Sequence, residues 1–200
     1  MPLPQPVERK KVHRRQITCD GFQRDDGLWE VDAHIVDTKT YSFDNDYRGT
    51  IEPGEPLHEM WIRLTVDEDL LVHDCVAATD NSPYQICGAI TPVFKKLIGE
   101  KIGPGWSRRV KELMGGIKGC THLVDLIGPA TTSAIQTMAG LKRDEYYDKR
   151  RKPFFIDGCH AWRSDGPEVL RYFPDHYTDK KSIKKSGKKA GEMSGEKSGD

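Results

Sequence analysis

Nowhere in this chain does an apolar run approach the roughly 20 residues that a bilayer-crossing helix requires, which argues against a membrane protein. The opening residues MPLPQPVERKKVHRR contain no apolar h-region, so no secretory signal is expected. Dense, even cysteine sets are also missing. The five cysteines (Cys19, Cys75, Cys87, Cys120 and Cys159) are odd in number and scattered, unlike a disulfide scaffold, and imply free thiols in a reducing, cytoplasmic compartment. Net charge is zero, with 31 Lys and Arg against 31 Asp and Glu. Seven of those basic residues but only three of the acidic ones fall in 180–200, which leaves residues 1–179 at about −4. A mildly acidic body argues against a broad nucleic-acid surface. The sequence has no C-x-x-C, H-E-x-x-H, G-x-S-x-G or phosphate-cradling G-x-x-x-x-G-K-[ST], so several common enzyme classes lose their usual signature.

What is present reads as one domain with two loose ends. Residues 1–11 hold three prolines in the first six positions, and 180–200 is low-complexity Lys/Ser/Gly that has almost nothing to bury and is expected to be disordered. Between them, 12–179 is expected to be a single α+β domain. In LWEVDAHIV, Trp29, Val31, Ala33 and Ile35 alternate with Glu30, Asp32 and His34, a half-buried strand. RRQITCDGF is its expected partner through the turn QRDDG. In HEMWIRLTV, Met60, Ile62, Leu64 and Val66 share a face, and LLVHDCVAA runs back after DED. SPYQICGAITPVFKKLIG spaces Ile86, Ile90, Val93, Phe94 and Leu97 as on a helix, with Ser82 as cap, Pro83 at the first position and Pro92 as a weak point. GPGWSRRVKELMGG fits a short helix between glycines. From Leu123 to Met138 a second stripe is expected to break at Gly128–Pro129. KRDEYYDKRRKP is a charged connection, and FFIDGCHAWRSDGPEVLRYFP reads as a terminal hairpin. The expected plan is therefore an antiparallel sheet built from successive hairpins with about three helices on one face.

The chemistry-bearing stretch is GGIKGCTHLVDL. A helix N-terminus favours an anion, the thiolate is both metal ligand and nucleophile, and glycines permit close approach. Cys120 and His122 therefore stand where a metal site or a working thiol could be built. Cys87 lies early in the helix that opens with SPYQICG, His58 begins a strand after a loop, and Asp80 ends its return strand. Should these ends meet at one rim, His58, Asp80, Cys87, Cys120 and His122 form a mixed N/S/O donor set, with His58, Cys87, Cys120 and His122 the expected metal ligands. Such a set suits zinc, iron or an iron–sulfur cluster. Cys159 and His160 face opposite ways if that segment is a strand, so at most one could join. His13, His34, His73 and His176 read as surface residues, and Arg14, Arg15 and Arg24 as ion-pair partners of Asp25 and Asp26.

With these pieces in hand, the chain resembles the bacterial family known as domain of unknown function 2889. The resemblance lies in HRRQITCDGFQRDDGLWEVDAHIVDTK, GEPLHEMWIRLTVDEDL, AATDNSPYQIC, LIGEKIGPGW, GGIKGCTHLVDLIGPATTSAIQT and CHAWRSDGPEVLRYFP. It implies a bacterial, cytoplasmic protein and no particular activity. In layout, the chain is also similar to iron–sulfur scaffold proteins of the NifU type. His58 stands where their first ligand cysteine would be, Cys87 where the second would be, and Cys120 near the third. His58 replaces a cysteine, however, and the Cys-Gly-Asp and Gly-Cys-Gly signatures are absent.

Three functions follow as alternatives. One is a metal or iron–sulfur binding accessory protein, with a protein partner implied. Another is an acyl- or thiol-transfer enzyme with Cys120 as nucleophile and His58 or His122 as base. The last is a structural or small-molecule binding domain using Trp29, Trp61, Trp106 and Trp162.

Overall fold

The computed structural model describes residues 3–139, 141 and 152–179. They belong to two compact units, Met1–Leu141 and Lys142–Asp200. The expected disordered tail 180–200 and most of the charged connection lie outside the described residues. Residues 3–12 carry no regular structure and are exposed.

The first unit is built on a four-stranded antiparallel sheet in the order β1-β2-β5-β6. Its strands are β1 (His13–Gln23), β2 (Trp29–Lys39), β5 (Pro56–Val66) and β6 (Val72–Asn81). A small ribbon, β3 (Phe43–Asn45) with β4 (Gly49–Ile51), fills the β2–β5 connection and was not foreseen in the sequence. Period-two alternation sorts the faces as expected. Trp29, Val31, Ala33 and Ile35 are buried together with Met60, Ile62, Leu64 and Val66, while Glu30, Asp32, His34, Trp61 and Arg63 take the other face. The β5–β6 turn is held by Asp67, whose Oδ1 accepts the N–H groups of Asp69 and Leu71, both at 2.9 Å.

The helices depart from the sequence pattern in instructive ways. Gln85–Leu97 is a run of 3-10 turns and not an α-helix. Pro92 cannot supply the N–H that would meet the Gly88 carbonyl in an α-helix, and the Thr91 hydroxyl donates to that carbonyl instead, at 3.0 Å. The tighter winding turns the expected stripe out of phase, so only Phe94 and Leu97 are buried and Ile86 is 78% exposed. Ser82 does not cap this segment. Tyr84 precedes its first turn, and the Ser82 hydroxyl donates to the Tyr84 carbonyl at 3.1 Å. Helix α1 (Trp106–Met114) lies between Gly105 and Gly115 as expected.

Helix α2 (Thr121–Ala139) runs unbroken through Pro129, against the expectation of two helices. An internal proline costs about 3 kcal/mol. The buried stripe of Leu123, Leu126, Ile127, Ala130, Thr131, Ala134 and Met138 continues on both sides of it, and each large apolar side chain buried returns about 1.5–3 kcal/mol. The helix lies across β1, β2 and β5. It approaches β1 so closely that a Cβ on Gly21 would sit 1.8 Å from Thr137 Oγ1. Glycine at 21 is thus a packing requirement. Trp106 Nε1 donates to buried Thr131 Oγ1 at 3.0 Å, tying α1 to α2.

In the second unit the expected terminal hairpin is replaced by turns, a short helix α3 (Pro167–Tyr172) and a 3-10 turn at Pro174–His176. Pro167 starts α3 because its missing N–H is unneeded at a first helical position. Ile156, Val169 and Phe173 form a small core with Phe155 and Trp162 packed against it.

Candidate metal centre

The alternation that buries Trp29, Val31, Ala33 and Ile35 reaches Asp37 two residues later. A carboxylate consequently sits on the core face, 2% exposed. Register places Arg15 of β1 and His58 of β5 directly opposite it on either side. A register shift between Asp37 and Thr38 marks this end of β2, a common way to re-aim side chains near a site.

Arg15 grips the carboxylate with both arms: Nε donates to Oδ1 and Nη2 to Oδ2, each at 2.8 Å. His13 Nε2 lies 3.2 Å from Oδ1 and His58 Nδ1 3.2 Å from Oδ2. From above, the first turn of α2 brings His122, whose Nε2 is 3.7 Å from the same Oδ2. The His58 and His122 rings stack with centroids 3.7 Å apart. Asp37, His58 and His122 form the one group among the described residues in which three possible ligand atoms all lie within 4.8 Å of one another.

The electrostatics follow from this crowding. Burial alone would push the Asp37 carboxyl up, but hydrogen bonds and charge from Arg15, aided by the histidines, hold it down at about 2. Burial pushes His58 down to about 4, reinforced by His122, against the pull of Asp37. His122 is lowered too, by burial first and then by the Arg15 charge. Near neutral pH the site therefore presents one carboxylate and two neutral imidazoles, and a cation can reach His58 Nδ1 by displacing the proton it shares with Asp37. His58 and His122 side chains keep 13% and 25% exposure, which leaves a path from solvent.

Cys120 is the residue at which α2 begins, its carbonyl accepting the Val124 N–H at 2.9 Å. The preceding glycines serve the backbone. Gly116 takes φ +60, and a Cβ on Gly119 would lie 2.2 Å from the Met114 carbonyl oxygen. Cys120 Sγ lies 4.0 Å from His122 Nδ1 and 3.9 Å from Met60 Sδ.

Of the residues that the sequence nominated, His58 and His122 come together and Cys120 adjoins them. Cys87 lies on the 3-10 segment and is not in the donor group. Asp80 accepts the Trp61 Nε1–H at 2.8 Å, on the face of the sheet away from Met60. Cys159 and His160 lie on turns of the second unit. Asp37, Arg15 and His13 were missed. His13 is exposed as expected, yet its ring also reaches Asp37, and Arg15 pairs with Asp37 and Asp125, not with Asp25 or Asp26. Arg24 does pair with Asp26, and also with Glu30. The signal for Asp37 was present: an acidic residue on the apolar phase of an alternating strand. His34 likewise is not simply solvent-facing, since it stacks on Trp61 with centroids 3.6 Å apart.

All five cysteines are free, and among the described residues no helix is long and apolar enough to cross a membrane. The family described as protein of unknown function (DUF2889) matches residues 13–136, which takes in the whole sheet and every residue of the donor cluster. The chain matches no curated protein and no solved structure.

Proposed function

We propose that this chain, which belongs to the DUF2889 family, binds one divalent transition-metal ion through Asp37 Oδ2, His58 Nδ1 and His122 Nε2. The observation that carries the proposal is convergence: two imidazoles from β5 and α2 aim at one oxygen of a buried carboxylate. An ion at that point takes the place of the proton on His58 Nδ1. Oδ1 stays with Arg15 Nε and His13, while Arg15 Nη2 also donates to Oδ2 and leaves that oxygen's other lone pair to the ion; these partners fix the carboxylate as groups behind a ligand commonly do. Two histidines and one carboxylate suit zinc or iron(II) with positions left open. An iron–sulfur cluster is less well served, because it needs several thiolates and only Cys120 stands nearby. Cys87 takes no part. The open positions fit either an accessory protein that hands its ion to a partner or a site where a bound water is activated. The five free thiols support a reducing compartment, the bacterial cytoplasm.

The test is metal content of the full chain purified without a metal-binding tag. About one zinc or iron per chain is expected, lost in His58→Gln and in His122→Ala but kept in Cys87→Ala. A parent chain that takes up no zinc or iron(II) on reconstitution, or a His58→Gln/His122→Ala chain that binds as well as the parent, overturns the proposal.

A second reading has its own observation: His122 lies between Cys120 Sγ and Asp37 Oδ2, 4.0 and 3.7 Å from them. That is the order of a thiol, base and orienting carboxylate, at the loose spacing of a resting site. It expects Cys120 to be alkylated faster than exposed Cys159, with the advantage gone in His122→Ala. Thiols reacting simply in order of exposure dispose of it.

A further inference from the structure

We propose a second, softer metal site on the opposite edge of the His122 ring: a Cu(I) ion held by Cys120 Sγ, Met60 Sδ and His122 Nδ1. It does not rest on the Asp37–His58–His122 reading, because it uses the other ring nitrogen and two sulfurs.

Strand alternation puts His58 and Met60 on the same face of β5, and the start of α2 lays Cys120 and His122 over them. The outcome is two adjoining pairs. One pair, His58 and His122, faces a carboxylate. The other, Met60 and Cys120, brings a thioether and a thiol to 3.9 Å, with His122 Nδ1 4.0 Å from the same thiol. With metal–sulfur and metal–nitrogen bonds of about 2.3 and about 2.0 Å, a trigonal site separates its donors by about 4.0 Å (S···S) and about 3.7 Å (S···N). The two Cys120 contacts lie close to two edges of such a site, the S···S one at 3.9 Å and the S···N one slightly long at 4.0 Å.

Donor type selects the ion. A thioether is a poor ligand for a hard dication, whereas thiolate and thioether together favour Cu(I). Charge acts in the same direction. Met60 is wholly buried, and a thiolate with a monovalent ion is neutral there, while a divalent ion would leave a net charge in a low-dielectric setting. Cys120 is only partly buried and gives the ion its way in; binding releases the thiol proton to solvent. With Nδ1 on copper, His122 keeps its proton on Nε2, facing Asp37. A neutral imidazole has one lone pair, so Cu(I) and an ion at Asp37 compete through this single ring.

The experiment is an anaerobic Cu(I) titration of the full chain against bathocuproine disulfonate, with zinc uptake measured in parallel. One Cu(I) per chain should be withdrawn from the chelator. Cys120→Ser should abolish this uptake. Met60→Leu, which conserves volume and keeps the core packed, should weaken it at least about tenfold and leave zinc uptake unchanged. His58→Gln should lower zinc uptake while Cu(I) uptake persists. X-ray absorption should show two sulfur neighbours at about 2.3 Å. Uptake that is unchanged in Cys120→Ser belongs to the other thiols and overturns the proposal, as does a Met60→Leu chain that titrates like the parent. Loss of zinc binding alone, with the copper results intact, sinks only the Asp37-centred reading.

Discussion

Strand β2 carries an arginine–aspartate fork on each face of the sheet. On the open face, Arg63 of β5 holds Asp32 through Nε and Nη2, both at 2.6 Å. On the face beneath α2, Arg15 of β1 holds Asp37 through the same two nitrogens at 2.8 Å. Both pairs lie directly cross-strand. Arg63 is 56% exposed and Asp32 27%, whereas the Asp37 side chain retains 3%. Water competes for the first fork and screens it, so it contributes about 0–1 kcal/mol. The second fork stands where a charge cannot go unpaired, and there the same geometry constrains three histidines. The lesson is that pairing alone does not make a site: burial does, by forcing every neighbour to answer the charge.

The largest break in this comparison is Asp37→Ala. The variant removes the buried charge itself and leaves Arg15 with Asp125 and partial exposure, so the cost is that of the lost hydrogen bonds to a charged group, about 1.5–3 kcal/mol each. Denaturant unfolding should show a loss of about 3 kcal/mol, together with loss of bound metal. If Asp37→Ala costs no more than Asp32→Ala, the contrast between the faces fails. Next comes Gly21→Val, which forces a side chain into Thr137 and lifts α2 from β1; overpacking of this kind costs about 1–3 kcal/mol. His122 rides on α2, so metal affinity should fall with it, and a Gly21→Val/Thr137→Ala pair should recover part of both.

Acid sharpens the contrast further. His58 titrates at about 4 in the folded chain against an ordinary value of 6.5. Between these values the unfolded chain takes a proton that the folded one refuses, so stability falls as pH falls from 6.5 to 4. Asp37, held at about 2 against 3.8, contributes stability above 3.8 that is lost as pH falls through 2. Both act in the same direction. In metal-free protein, His58→Gln should make the limb below 6.5 shallower, leaving the part that His122, also lowered, contributes, as followed by thermal unfolding, while Arg63→Ala leaves that limb in place. The smallest effect is Asp32→Asn, expected within about 1 kcal/mol and diminishing in salt. A larger, salt-insensitive loss would show that the open face is covered in solution.

The sheet was legible because its cause is local. Trp29 to Ile35 and Met60 to Val66 alternate without interruption, and turn residues separate the strands. The helices were legible only in part. Pro92 and Pro129 carry the same local penalty, yet one lies in a 3-10 run and the other inside a continuous α-helix. The difference lies in what each segment can bury, which no local pattern records. At the site, Cys120 and His122 drew attention through their position at a helix start, and His58 through its place after a loop. Arg15 and His13 carried no such mark, since their role exists only opposite Asp37. Cys87 had the same kind of mark as Cys120, but its segment packs against β6 and α2 lies over β1, β2 and β5.

The order of residues by itself determined the strand faces, and with them the fact that Asp37, His58 and Met60 all point inward, because period-two alternation is a property of the backbone. Which inward residues touch was decided by tertiary structure alone. The β1-β2-β5-β6 order sets Arg15, Asp37 and His58 in one row. The approach of α2 at Gly21 lowers Cys120 and His122 onto that row. The hydrogen bonds and ion pairs made by that row span from 21 to 110 residues of chain, and the burial that holds them together belongs to the packed sheet and helix, not to any segment read alone.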